Sequence, residues 1–135
     1  MKYKKLLISL AICSYALAVP ILELNETHLY NPDWTPHARI HELWQLISNS
    51  CLGLLSLYLV WFKNQIRLPS ILGLIVTGGF LTAYLFRSLY GGSMAFLDGS
   101  ESLVFGLNIG LLGFGIAFII FIFCVGRQEK ILFKD

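Results

Sequence analysis

The sequence predicts an all-α integral membrane protein, a four-helix bundle with both termini on the cytoplasmic side. Three observations predict it. Of 135 residues, 56% are hydrophobic and only 13% charged, with mean hydropathy +0.71, too apolar for a water-soluble domain and too short for two. The apolar residues gather into four stretches, each long enough to cross a hydrocarbon core that takes roughly 17–25 helical residues. The basic residues sort to one side of those stretches. The chain therefore reads as one membrane domain, 1–135, with spans at about 6–22, 36–62, 69–89 and 101–125 and outer loops at 23–35 and 90–100.

Lys2, Lys4 and Lys5 precede the first apolar run, Leu6 to Leu22. The same residues also fit a signal peptide, with Ala16-Leu17-Ala18 as an A-x-A cleavage site within residues 1–18. A retained anchor is the reading carried forward. The second span opens at Pro36, which suits a first helical turn because its missing N–H costs nothing there, and Thr35 is placed to cap it. Running to Phe62, it extends roughly 40 Å, more than the hydrocarbon core, so its first turns should reach the headgroup layer with His37 and His41.

Lys63 to Arg67 is a basic connector, and Pro69 opens the third span. Tyr90 to Ser100 is a loop rich in glycine, with Gly91, Gly92 and Gly99. Asp98 or Ser100 would cap the fourth span and put Glu101 in its first turn, where a carboxylate meets the positive end of the helix dipole. With the N-terminus inside, eight of the ten Lys and Arg are cytoplasmic, leaving Arg39 and Arg87 outside. That orientation implies a bacterial inner membrane with the histidine-rich loop facing out.

Helices in lipid approach closely through small residues. Gly106, Gly110 and Gly113 suggest a flat face on the fourth span, and Gly73, Gly78 and Gly79 one on the third. Packing within one chain, a homodimer seam on Gly106-x-x-x-Gly110, and docking on a larger membrane complex all follow from such faces.

Several function classes are disfavoured. The net charge of +2 forms no basic face for nucleic acid. Cys13, Cys51 and Cys124 lie in apolar stretches without a C-x-x-C pair, so no disulfide framework or thiol-redox motif is indicated. The span centres lack the ionisable groups of a proton relay, and haem ligation needs histidines on facing helices.

Chemistry concentrates between His28 and Gln45, which holds all three histidines and two of the three tryptophans. His37, His41, Gln45, Ser48 and Asn49 recur at helical spacing down the second span, while Thr77, Tyr84, Arg87 and Ser88 on the third and Glu101 and Asn108 on the fourth share its outer half. Polar groups in lipid need partners, so an outer pocket is expected from His28, His37, Arg39, His41, Gln45, Arg87 and Glu101, with Arg87 paired to Glu101. Its ligand-binding residues would be His37, His41, Gln45, Asn49, Tyr84, Arg87 and Asn108.

Two chemistries compete with a plain row of interfacial histidines. His28, His37 and His41, joined by Glu101, Asp98 or Glu42, could hold a divalent metal such as zinc, copper or iron. Alternatively His41, Arg87 and Glu101 could act as acid, base and anchor on a lipid-like substrate. Asn25-Glu26-Thr27 is a glycosylation acceptor triplet, and Tyr30, Trp34, Trp44 and Tyr90 with Tyr58 and Trp61 fit aromatic belts.

The run from His28 to His41, HLYNPDWTPHARIH, resembles a segment H-x-x-N-P-x-W-x-P-H-A-x-x-H of small four-span membrane proteins. In layout the chain is also similar to DoxX-like proteins and, more distantly, to the emopamil-binding type of sterol isomerase. The second resemblance implies a membrane redox association and the third acid/base chemistry on sterols. Only architecture carries over. The functional expectation is a small binding or accessory component of an envelope process, taking a hydrophobic ligand or a metal ion. Enzyme and structural subunit stand as alternatives.

Overall fold

The computed structural model describes residues 2–126, so the basic tail from Arg127 lies outside the described residues. Four helices are long and apolar enough to cross a membrane: α1 (Lys2–Glu23), α2 (Pro36–Phe62), α3 (Arg67–Leu85) and α4 (Ile109–Gly126). Lys5 at the start of α1 donates to Asn64 Oδ1 in the α2–α3 connector at 2.6 Å, which puts the chain's first residues and that connector at one end. We call it the lysine end; the segments 24–35 and 86–108 form the opposite, histidine end.

Helix α1 is interrupted by a π-helical segment, Ser14–Ala18. Its cause is Pro20, which has no N–H to give Ala16 O four residues earlier and whose ring crowds that carbonyl. The orphaned Ala16 carbonyl instead accepts from Ser50 Oγ on α2 at 3.0 Å. Directly beside this bond a methyl on Gly53 would overlap Ala16 Cβ, so glycine sets how closely α1 and α2 approach.

Helix α2 starts and stops where the sequence places it. Thr35 Oγ1 accepts the Ala38 N–H at 3.2 Å and Pro36 occupies the first turn. Helix α3 starts at Arg67, so Pro69 lies in its first turn and does not open it, and the helix ends at Leu85, followed by a 3-10 turn at Arg87–Leu89.

The fourth span departs furthest from expectation. It begins at Ile109, not Glu101, and is preceded by a β-hairpin of β1 (Leu103–Val104) and β2 (Leu107–Asn108) in register Leu103↔Asn108. Phe105 and Gly106 turn the hairpin with φ of 53° and 77°, the left-handed pair that a two-residue hairpin loop demands. Asn108, rather than Asp98 or Ser100, caps the helix: its Oδ1 accepts the Gly110 N–H at 2.9 Å. Two corrections follow. Glu101 is not in a helical first turn, and Gly106 is a turn residue, so the Gly106-x-x-x-Gly110 seam does not exist as a helix face.

Packing is dense in the lysine half. Ile8, Ile12, Tyr15, Val60, Ala117 and Phe121 form a closed core, with Gly73 admitting the Phe121 ring where any Cβ would collide with it. The exterior is apolar, Leu10, Leu54, Phe62, Ile75 and Ile119 all being exposed, as expected of a surface that meets lipid. The histidine half is packed differently.

Candidate functional site

The loop after α1 is built by its own polar side chains. Asn31, 4% exposed, donates through Nδ2 to Thr27 O and accepts the Asp33 N–H on Oδ1 at 2.9 Å, an Asx turn that sets the path through Pro32. Arg39 reaches back from α2 and donates to the Asn31 carbonyl at 2.7 Å. Asn31 and Arg39 of the segment from His28 to His41 thus fold this loop onto α2.

His28 is the exception. Its Nε2 lies 2.8 Å from Glu23 Oε2, and its Nδ1 lies 2.8 Å from Thr27 Oγ1. The network fixes where hydrogens sit. Asn25 gives Nδ2 to Leu22 O and turns Oδ1 toward Thr27, whose N–H and hydroxyl both donate to it. The hydroxyl's one hydrogen being spent, Thr27 can only accept from Nδ1–H, so the Nε2 contact to Glu23 requires one proton held between ring and carboxyl. Burial holds the His28 ring below the ordinary imidazole range, which works against the imidazolium form.

This dyad opens on a half-open cavity of about 730 Å³ bordered by all four helices in the histidine half. Leu22, Val76, Phe80, Met94, Phe96 and Phe114 supply apolar wall; Glu23, His28, Glu42, Gln45, Asn49 and Asn108 supply polar groups. The space exists because the facing residues are small. Gly79 and Gly113 line it, and a Cβ on either would meet nothing. Ser14 and Ala18 of the π-helical segment line it as well. Outside lies an open groove of about 510 Å³ formed by Asp33, Trp34, Thr35, Ala38, His41, Glu42 and Gln45. Glu42 and Gln45 border both spaces.

The expected residues divide. Gln45, Asn49 and Asn108 line the cavity, and His28 joins them through Glu23. His41 lines only the outer groove, its Nε2 3.0 Å from His37 Nε2 on the exposed side of α2. Arg87 is exposed, donates to Tyr84 O and lies over the Tyr84 ring at 4.1 Å, away from the cavity wall. The expected Arg87–Glu101 pair is therefore not formed. Glu101 instead accepts from Asn108 Nδ2 at 3.3 Å, brought there by hairpin register and not by helical spacing. His41, Arg87 and Glu101 do not share one site. For a metal, His37 and His41 present two nitrogens to each other while His28 faces Glu23, and among the described residues no group of three His, Cys, Asp or Glu could hold an ion.

Sequence reasoning missed Glu23 and weighed Glu42 only as a metal ligand, not as part of a cavity wall. A usable signal was present, since Glu42, Gln45 and Asn49 recur at steps of three and four. At 3.6 residues per turn each step of four over-rotates by about 40°, so a stripe begun at His37 has turned by about 120° when it reaches Asn49. The histidines and the cavity groups are consequently on different faces. Comparison of the chain with protein-family models, with curated proteins and with solved structures finds no match.

Proposed function

We propose that this is a multi-pass membrane protein that binds a hydrophobic molecule with a polar head in the cavity between its helices, as an accessory component of an envelope process. The carrying observation is the cavity itself. Its size falls within the roughly 300–1,000 Å³ of small-molecule sites, and it joins an apolar wall to a few convergent polar groups. Lys2, Lys4, Lys5, Lys63 and Arg67 cluster at the opposite end, which supports a cytoplasmic lysine end and a histidine end facing out of a bacterial inner membrane. A ligand would enter from the outer leaflet or through the groove beside Glu42.

The test is mass spectrometry of molecules that co-purify with the protein, wild type beside Gly113→Leu, which fills the cavity from a position where nothing clashes. A stoichiometric amphiphile in wild type, lost in the variant, is the expected result. Equal recovery from both, or none from either, counts against the reading.

A second reading is favoured by one observation, the 2.8 Å contact between Glu23 and His28 at the cavity wall, which calls for a proton between them. Such a dyad can give a proton to a bound molecule and take one back, which is general acid/base chemistry. On that reading Glu23 and His28 replace His41, Arg87 and Glu101 in the catalytic roles.

A further inference from the structure

The inference rests on the cavity's being a ligand site, and concerns which head group it takes. Along the route from groove to cavity the side chains are of one sign. Asp33 lines the groove, Glu42 borders groove and cavity, and Glu23 lies at the inner wall. Among the described residues no lysine or arginine lines either space. Both basic residues at this end are engaged elsewhere, Arg39 on loop carbonyls and Arg87 on Tyr84.

The two inner carboxyls are not equivalent. Glu23 is occupied by His28, whereas Glu42, half-buried, makes no hydrogen bond or ion pair among the described residues. A carboxylate left partnerless in an apolar-walled space is costly unless something cationic or donating meets it. Its neighbours Gln45 and Asn49 add neutral donors and acceptors, and aromatic faces accompany the route, Trp34 in the groove and Phe80, Phe96 and Phe114 within. Rings of this kind attract organic cations. An anionic head would meet Asp33 and Glu42 with no lysine or arginine beside them, Glu23 being already paired with His28.

We propose that the ligand is a cationic amphiphile, an apolar body carrying an ammonium head that pairs with Glu42. The experiment uses full-length protein in phosphatidylcholine nanodiscs with Trp44→Phe and Trp61→Phe, leaving Trp34 as the reporter. Quenching is titrated with 9,10-dibromostearylamine, the matching alcohol and the matching carboxylate. The expected result is that the amine binds at least about tenfold more tightly than the other two and that Glu42→Gln abolishes this preference while leaving alcohol binding in place. Equal binding of all three probes, or preference for the carboxylate, overturns the cationic head but leaves the cavity as a site. Absence of saturable quenching by any probe overturns the cavity reading itself. The ranking in the unsubstituted Glu42 protein decides the question even if the glutamine variant fails to fold.

Discussion

Substituting Gly73 by alanine should destabilise the bundle, although alanine is the better helix former. Two terms oppose. Alanine in a helix interior gains about 1 kcal/mol over glycine. Against it, a Cβ on Gly73 would collide with the ring of Phe121, which is 0% exposed and held in turn by Tyr15 at a centroid separation of 6.3 Å. A ring so enclosed cannot swing aside, and overpacking of a dense interior costs about 1–3 kcal/mol. The net expectation is a loss of up to about 2 kcal/mol. The control is Gly115→Ala, where the new methyl meets nothing and the propensity gain stands alone. The two variants should therefore move in opposite directions, separated by about 1–3 kcal/mol, when unfolding in mixed micelles is followed by circular dichroism. If Gly73→Ala proved as stable as Gly115→Ala, α3 and α4 would not be in the contact described.

Three other outcomes follow from the loops and caps. Asn108→Ala removes the cap of α4 and the Glu101 contact, and should cost about 1–2 kcal/mol in the same assay, whereas Asp98→Ala, on an exposed loop away from the helix start, should cost far less. Arg39→Ala releases the Asn31 carbonyl and should speed amide exchange across residues 24–35 while exchange in the lysine half of α2 is unchanged; uniform protection throughout would show the guanidinium to be dispensable. The native Glu23–His28 contact holds one proton, whereas above about pH 6.5 an unfolded chain carries little on either group, so folding takes up a proton there. The contact's contribution to stability is therefore fullest near and below that pH and declines as pH rises. Wild type should gain stability as pH falls from 7.5 to 6.5 relative to a variant carrying both Glu23→Gln and His28→Gln, and a relative loss would show that the contact holds no such proton.

Four helices long and apolar enough to cross a membrane were legible because each is set by local composition, and α2 was legible to the residue because Thr35 and Pro36 carry their own start signal. The start of α4 was not. Glu101 and Ser100 imitate a helix opening, and the signal that wins, a Phe105-Gly106 turn with Asn108 behind it, depends on hairpin pairing that only tertiary context stabilises. The π-helical segment was implicit in Pro20, yet it needed Ser50 on another helix to satisfy Ala16. At the site, polarity drew attention to the imidazoles at His37 and His41. The half-buried carboxyls of Glu23 and Glu42 are placed by helix rotation, which a stripe of fours obscures.

The most direct measurement is the reactivity of a cysteine placed at Gly113 in a protein whose native Cys13, Cys51 and Cys124 are alanine. Open space between the helices at the histidine end requires that a small methanethiosulfonate reagent label it in folded protein, and that added amphiphile slow the labelling. Native Cys124, 4% exposed in the closed half, should stay unlabelled when tested alone. A Gly113 cysteine as inert as Cys124 would mean the helices meet there, and the cavity on which the functional account depends would be gone.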